Sequence, residues 1–339
     1  MSNQVQASSA GDVLQVPGDF DSIRPPLDEL TLLPTKADAY ARETWAREAW
    51  AEVARATDPL ALVHHHALLV IKPEAMAARV APRILDALAA QKFTPVAVGT
   101  VDFDRHLMRA LWAFRLNIAT VERLRLQELL QTSCRNVVLV LRDMSPQLTL
   151  PASVRLTAFK GPAKLESRRP EHLRTGLGVQ NRLLSYVHTT DEPADLLREL
   201  GVFFAPFELR QVVREMLAAS DKLEQAREVV RAIELEVSPH DLRLETALAG
   251  ITARAAEAAL EADNGERSAW HRLAQLCDSS PAAEGDPTLW AQIESLMTAL
   301  NRWDVVVTGA HLVQQDVPGV PTLVGDADAA SWHDRLQKV

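Results

Sequence analysis

Cysteine is nearly missing: 339 residues carry only Cys134 and Cys277, far apart and without the spacing of a metal site or a redox pair. That excludes a disulfide scaffold and fits a reducing compartment. No apolar run approaches the roughly 20 residues of a membrane-spanning helix. The opening stretch MSNQVQASSAGDVLQVPGDFDS is acidic, with neither a basic n-region nor an apolar h-region. The chain therefore reads as soluble, unexported and cytoplasmic. Positive charge is also in deficit. A formal net charge of −9 argues against nucleic acid or anionic membrane as partner, so any polyanion site has to be local. There is no convincing internal repeat or low-complexity tract, and no Gly-rich phosphate motif is complete in VVVTG or PGVPTLVG near the C-terminus.

What the sequence does have is apolar residues, 47% of the chain, enough for two modest cores. Residues 1–36, rich in Ser, Gly, Asp and Pro, predict an extended arm with little chemistry. Ala39–Ala56 predicts an amphipathic helix whose Trp45 and Trp50 pack on the next domain. Together residues 1–63 read as an N-terminal arm and docking helix.

Residues 64–205 alternate strand and helix signals. ALLVI at 67–71 and VVLVL at 137–141 suit buried strands, and 93–103 and 183–188 read as two more. Helices are expected over 76–91, 107–116, 121–130, 151–159 and 193–200. The order β-α-β-α-α-β-α-loop-β-α makes the fold class mixed α/β (α+β), a ferredoxin-like βαββαβ pattern with extra helices. From Pro206 the strand signals stop, and 206–339 reads as a separate all-helical domain.

Chemistry concentrates near the end of the middle region. KGPAKLESRRPEHLRTGLGVQNR carries Lys160, Lys164, Arg168, Arg169, Arg174 and Arg182 against Glu166 and Glu171. Guanidinium forks suit phosphate oxygens, although an ordinary exposed basic loop would look the same. His188 follows at a strand end, before the helix-start sequence TTDEP. A neutral imidazole there is nucleophilic at pH 7. Glu199, eleven residues on, is placed to orient it. Lys72 closes the first strand, and Pro73 keeps it extended, a position suited to a ligand phosphate. His64, His65 and His66 alternate faces and suit a solvated strand start better than a metal site. His311 reads as structural. No metal-ligating set is proposed.

Taken together, ALLVIKPEA, VVLVL, GPAKLESRRPEHLR and VHTTDEPADLLRELGVFF resemble the nucleoside diphosphate kinases over about residues 66–204. The strongest stretch starts at His188, with His-x-x-Asp and then a Glu eleven residues after the His. The resemblance implies a nucleoside diphosphate kinase-like domain on a ferredoxin-like fold. His188 would be the phosphohistidine nucleophile, oriented by Glu199, with Lys72 and Arg174 on the triphosphate and Asp191 holding the turn after the histidine. It implies a nucleotide or nucleotide-like small molecule as partner, Mg²⁺ arriving with a nucleoside triphosphate, and a possible homo-oligomer. Such catalysis rests on positioning and charge stabilisation.

The departures fall on the nucleoside side. Ser185 stands where the family has a ribose-binding Asn, and Leu184 where it has an Arg, with Arg182 close by. Thr157 occupies the place of a second phosphate-binding arginine, for which Arg155 or Lys160 could substitute. Ala163 replaces a phosphate-binding Thr, Thr189-Thr190 replace Gly-Ser, and Thr175-Gly176 replace Gly-Asp. The base-stacking aromatic falls on Trp112 or Phe114. Three functions compete on this reading: a phosphotransferase working through phospho-His188, a degenerate kinase-like binding or scaffolding module acting through its helical part, and a specialised-metabolism enzyme with an unusual acceptor.

Overall fold

The two continuously apolar runs form the centre of a sheet. In the computed structural model, which describes residues 24–146, 150–279, 287–325 and 327–337, β1 is His66–Ile71, β2 Phe93–Val101, β3 Asn136–Asp143 and β4 Val187–Thr189. The sheet is antiparallel with order β2-β3-β1-β4. Because side chains alternate along a strand, β1 and β3 each feed two cores. Ala67, Leu69, Ile71, Val137, Leu139 and Leu141 point to one face, and Leu68, Val70, Val138 and Val140 to the other. Each fully buried aliphatic side chain contributes about 1.5–3 kcal/mol, which is why these runs read as uninterrupted apolar sequence.

Among the described residues the other regular elements are helices, so the fold is mixed α+β with most residues outside the sheet. Ahead of the sheet come α1 (Leu27–Leu30), α2 (Pro34–Ala41), α3 (Trp45–Val53) and α4 (Pro59–His64). The strand connections carry α5 (Pro73–Ala77), α6 (Ala81–Ala90), α7 (Arg105–Leu111), α8 (Val121–Gln131), α9 (Ala152–Lys160) and α10 (Leu173–Gly176). After β4 come α11 (Pro193–Phe203), α12 (Pro206–Ala218), α13 (Leu223–Glu236), α14 (Leu244–Glu261), α15 (Asn264–Ser279), α16 (Pro287–Leu296), α17 (Arg302–Leu312) and α18 (Ala329–Leu336). No helix among the described residues is long and apolar enough to cross a membrane.

The helix expected over Ala39–Ala56 is divided between α2, which ends at Ala41, and α3, which starts at Trp45, and two further predicted elements break for identifiable reasons. The expected helix over 76–91 becomes α5 and α6, because Arg79 takes a left-handed φ of 58° and Pro82 restarts the next helix near its N-terminus. The expected strand over 183–188 shortens to β4. The Asn181 side chain accepts from the backbone N–H groups of Leu183 and Leu184, curling the chain, and Tyr186 sits at φ 63°. The Tyr186 N–H donates to Glu74 Oε1 at 3.0 Å instead of entering a ladder.

The histidine run is not a solvated strand start. His66 opens β1 at 2% exposure with Nδ1 against the Leu62 carbonyl at 2.7 Å, and burial pulls its pKa down to about 4. His311 bonds the Val307 carbonyl within its own helix.

The described part of the expected arm, from residue 24 on, is docked. Residues 1–23 lie outside the described residues, but α1 to α4 pack onto α11 and β1 with Leu30, Tyr40, Trp50 and Val53 buried. α3 and α11 approach so closely that a Cβ at Gly201 would collide with the Trp45 carbonyl. Nor does the apolar core stop at residue 205. Ala226, Val230 and Ile233 of α13 join the cluster of Ile84 and Leu88, and Val305–Val307 of α17 reach the same cluster through Leu126 and Leu130 of α8.

Candidate functional site

β4 pairs with β1 at the sheet edge, with Val70 opposite His188. The chain then turns at once into α11, whose start is set by a capping box between Glu192 and Asp195 and by Pro193 in the first turn. Glu199 lies on the side of α11 that faces back to β4. His188 Nε2 is 2.9 Å from each Glu199 carboxylate oxygen. On the other side of the ring the Trp112 indole N–H reaches Nδ1 at 3.4 Å, and the two rings meet edge-on at 89° with centroids 5.7 Å apart. An ionised carboxylate only accepts and an indole N–H only donates. In the neutral imidazole, Nε2 therefore carries the proton and Nδ1 the lone pair.

Next to the histidine, Asp191 gathers cations and hydroxyls. Its Oδ1 accepts from Lys160 Nζ at 3.1 Å and from Thr157 Oγ1 at 3.0 Å, and its Oδ2 is 3.6 Å from Arg115. Burial would raise this carboxyl, but the charges of Lys160, Arg115 and Lys36 outweigh it and hold the group well below the usual carboxylate range. Burial likewise draws Lys160 below its ordinary pKa against the pull of Asp191. Thr157 also meets Thr189 Oγ1 at 2.7 Å and donates to the Thr190 carbonyl, so it braces the turn after the histidine. Arg155 is elsewhere: it pairs with Asp143 and lies over the Phe93 ring at 3.9 Å. Of Arg155 and Lys160, only Lys160 reaches Asp191 beside the histidine.

Lys72 and Arg174 both border the same cleft, each partly committed to the protein. Lys72 Nζ pairs with Glu74 at 2.6 Å and donates to the Leu183 carbonyl at 3.2 Å, which leaves one of its three protons. Arg174 donates to the carbonyls of Gly161, Val187 and Ser185, and burial lowers its pKa to about 10. Each of its terminal nitrogens keeps a second N–H. Ser185 is buried and lines the cleft, while Arg182 is drawn to Asp316 at 2.8 Å.

Residues outside the basic loop complete the surroundings, and the sequence reading missed them. Lys36, from the supposed arm, is buried between Glu192 at 2.6 Å and Asp195 at 2.7 Å. Burial works against its charge, but the two carboxylates prevail and raise its pKa. Fully buried Glu192 also accepts from Thr31 Oγ1, the Leu32 N–H and, at 3.0 Å, the Trp332 indole N–H of α18. One carboxylate therefore fastens both terminal segments to the helix that carries Glu199. A lone lysine in LPTK or a tryptophan near the C-terminus offers no sequence signal for this.

The result is a cleft of about 1040 Å³ walled by α2, the α7–α8 connection, α9, the basic loop, α11, Val324 and Ala327–Ala330. Ten Lys and Arg side chains border it against four Asp and Glu, so in an otherwise acidic protein this cavity suits an anion. Among the described residues, no three His, Cys, Asp or Glu side chains are grouped to hold a metal ion. A nucleophilic nitrogen beside fixed cations is equipped for group transfer from a phosphate ester or anhydride.

No protein-family model matches the chain, and no curated protein matches it in sequence. Solved nucleoside diphosphate kinases are similar to part of it in structure. The enzyme of Aquifex aeolicus shares 20% identity over 42% of this chain and 97% of its own, with a TM-score of 0.36. That of Encephalitozoon cuniculi shares 13% over 44% and 99%, TM-score 0.36. That of Pyrobaculum aerophilum shares 20% over 43% and 98%, TM-score 0.35.

Proposed function

We propose that this chain is a phosphotransferase that works through phospho-His188. The observation that carries the reading is the fixed tautomer: Glu199 holds Nε2–H, so the lone pair on Nδ1 belongs to a histidine lining a basic cleft. Nδ1 attacks the terminal phosphorus of a nucleoside triphosphate, the bond from phosphorus to the bridging oxygen breaks, and the diphosphate leaves with that electron pair. The ring gains positive charge as the phosphorus–nitrogen bond forms, and the Glu199 carboxylate beside Nε2 stabilises it. In the second half, an acceptor oxygen attacks the phosphoimidazole and the ring leaves with the electron pair. The acceptor is a nucleoside diphosphate or a related phosphorylated molecule.

Lys72, Arg174 and Lys160 supply charge for the phosphates, with Arg182 and Ser185 further along the cleft and Trp112 at the nucleophile. Mg²⁺ would enter with the triphosphate, held by its oxygens, since the lining is mainly cationic. The test is incubation with ATP radiolabelled on the γ-phosphate, followed by denaturing gels after acid and after alkali. An acid-labile, alkali-stable label absent from His188→Ala supports the reading, and an unlabelled wild type sinks it.

A second reading has its own observation. The Trp112 N–H covers the nucleophilic nitrogen and protein groups engage Lys72 and Arg174, as in a module that binds phosphate ligands without transfer. Tight nucleotide binding with no label at any pH would select it.

A further inference from the structure

At another part of the same cleft, two arginines from different elements meet on one carboxylate. Arg123 lies in the first turn of α8 and Arg182 in the loop before β4. Asp316, in the connection from α17 to α18, takes Arg123 on Oδ1 and Arg182 on Oδ2, the latter at 2.8 Å. The two guanidinium groups are near enough to repel: burial lowers the Arg123 pKa, and Arg182 adds to that against the pull of Asp316. This pair requires an anion.

One carboxylate fills the place only partly. Two guanidinium groups carry about ten N–H donors, and a carboxylate offers about four lone-pair sites. Arg123 Nε is buried with no acceptor, and among the described residues Arg182 donates to Asp316 alone. Asp316 and Arg182 keep part of their side-chain surface open, 28% and 37%. A purely structural clamp would be needed to hold the 313–325 segment in place, yet that segment has its own attachments. The Val317 N–H donates to the Ile118 carbonyl at 2.6 Å, the Thr120 N–H to the Gln315 carbonyl at 3.2 Å, and Asn117 Nδ2 to the Pro321 carbonyl at 2.8 Å. The Asp316 side chain can leave the arginines while its backbone stays bound.

We propose that Arg123 and Arg182 form a second phosphate-binding subsite, which Asp316 occupies until a ligand phosphate displaces it. An internal carboxylate competes at high effective concentration, so a displacing group needs more charge and more acceptors than one carboxylate. A phosphate meets both conditions and a simple carboxylate neither. The ligand would then bear a phosphate here in addition to the group presented to His188. The proposal rests on the reading of the cleft as a phosphate site, but not on transfer through His188.

Calorimetric titration of the full chain with inorganic phosphate tests it. Asp316→Asn, close to isosteric, should tighten phosphate binding about tenfold, the effect of removing one competing charge. Adding Arg182→Ala to Asp316→Asn should reverse the gain, and acetate should show no gain in any variant. Asn117→Ala loosens the segment while keeping the carboxylate and should leave the affinity unchanged. The proposal fails if Asp316→Asn matches wild type, if Arg182→Ala does not reverse the gain, or if Asn117→Ala reproduces it. Should wild type form no phosphohistidine while Asp316→Asn still gains phosphate affinity, the transfer reading falls and the subsite stands. A labelled wild type with unchanged Asp316→Asn gives the converse.

Discussion

Glu199 presents both of its carboxylate oxygens to one nitrogen of His188, at 2.9 Å each. The pair spans an edge strand and the helix that returns across it, so the imidazole is held closely at Nε2 and meets only the longer 3.4 Å contact from the Trp112 N–H at Nδ1.

If Glu199 sets the tautomer and stabilises the charged ring, Glu199→Ala should slow labelling of His188 by about 10²-fold, in the range of losing a preorganised electrostatic contact. Rapid-quench measurement of acid-labile label checks this. Equal rates in the two proteins would remove Glu199 from the mechanism.

Trp112 donates its indole N–H to Nδ1 over 3.4 Å, a long bond of the class worth about 0.5–1.5 kcal/mol at most. Trp112→Phe keeps a ring beside Phe103 and removes the donor. Carbethoxylation of His188, followed by mass spectrometry, should then run a few-fold faster. A slower reaction would mean that Trp112 activates the ring and does not cover it.

Glu192 is fully buried and accepts from Thr31, Leu32, Lys36 and Trp332. Glu192→Ala leaves a buried ammonium short of one counter-charge and orphans three other donors. Loss of one partner of a buried pair typically costs about 3–5 kcal/mol. Urea unfolding should show a loss of that size, with faster trypsin cleavage at Arg335 and Lys36. A change below about 1 kcal/mol would contradict the network's role.

His66 provides the pH prediction. Burial depresses its folded pKa to about 4, below the ordinary value near 6.5, so the folded state favours the neutral ring. Its contribution is present above pH ~6.5 and is lost as the pH falls from there through about 4, amounting to roughly 3 kcal/mol over the window. His66→Asn can keep a donor toward the Leu62 carbonyl without titrating. Its stability curve from denaturant melts should be flatter between those pH values, and an unchanged slope would refute the assignment.

Much of the fold could be read from local pattern because the pattern is what burial requires. ALLVI and VVLVL are strands covered on both faces, so almost every residue must be apolar. TTDEP starts a helix through capping chemistry that spans only a few residues. The strand over 183–188 misled because the Asn181 side chain bends the chain over its next three residues and the left-handed Tyr186 depends on Glu74, more than a hundred residues away in the chain. Lys36 was invisible for the same reason. Its neighbours in sequence say loop, and only Glu192 and Asp195 make it a buried ion.

By itself, the sequence determined the order of strands and helices, the surplus of positive charge from Lys160 to Arg182, and the spacing that lets Glu199 return to His188. These are local quantities, fixed by periodicity, composition and the pitch of a helix. Tertiary structure alone decided which cations face the histidine, that Asp316 joins Arg123 to Arg182, and that one carboxylate fastens both terminal segments. Coulomb forces and hydrogen bonds act over a few ångströms of space, and distance along the chain carries no information about which groups come that close.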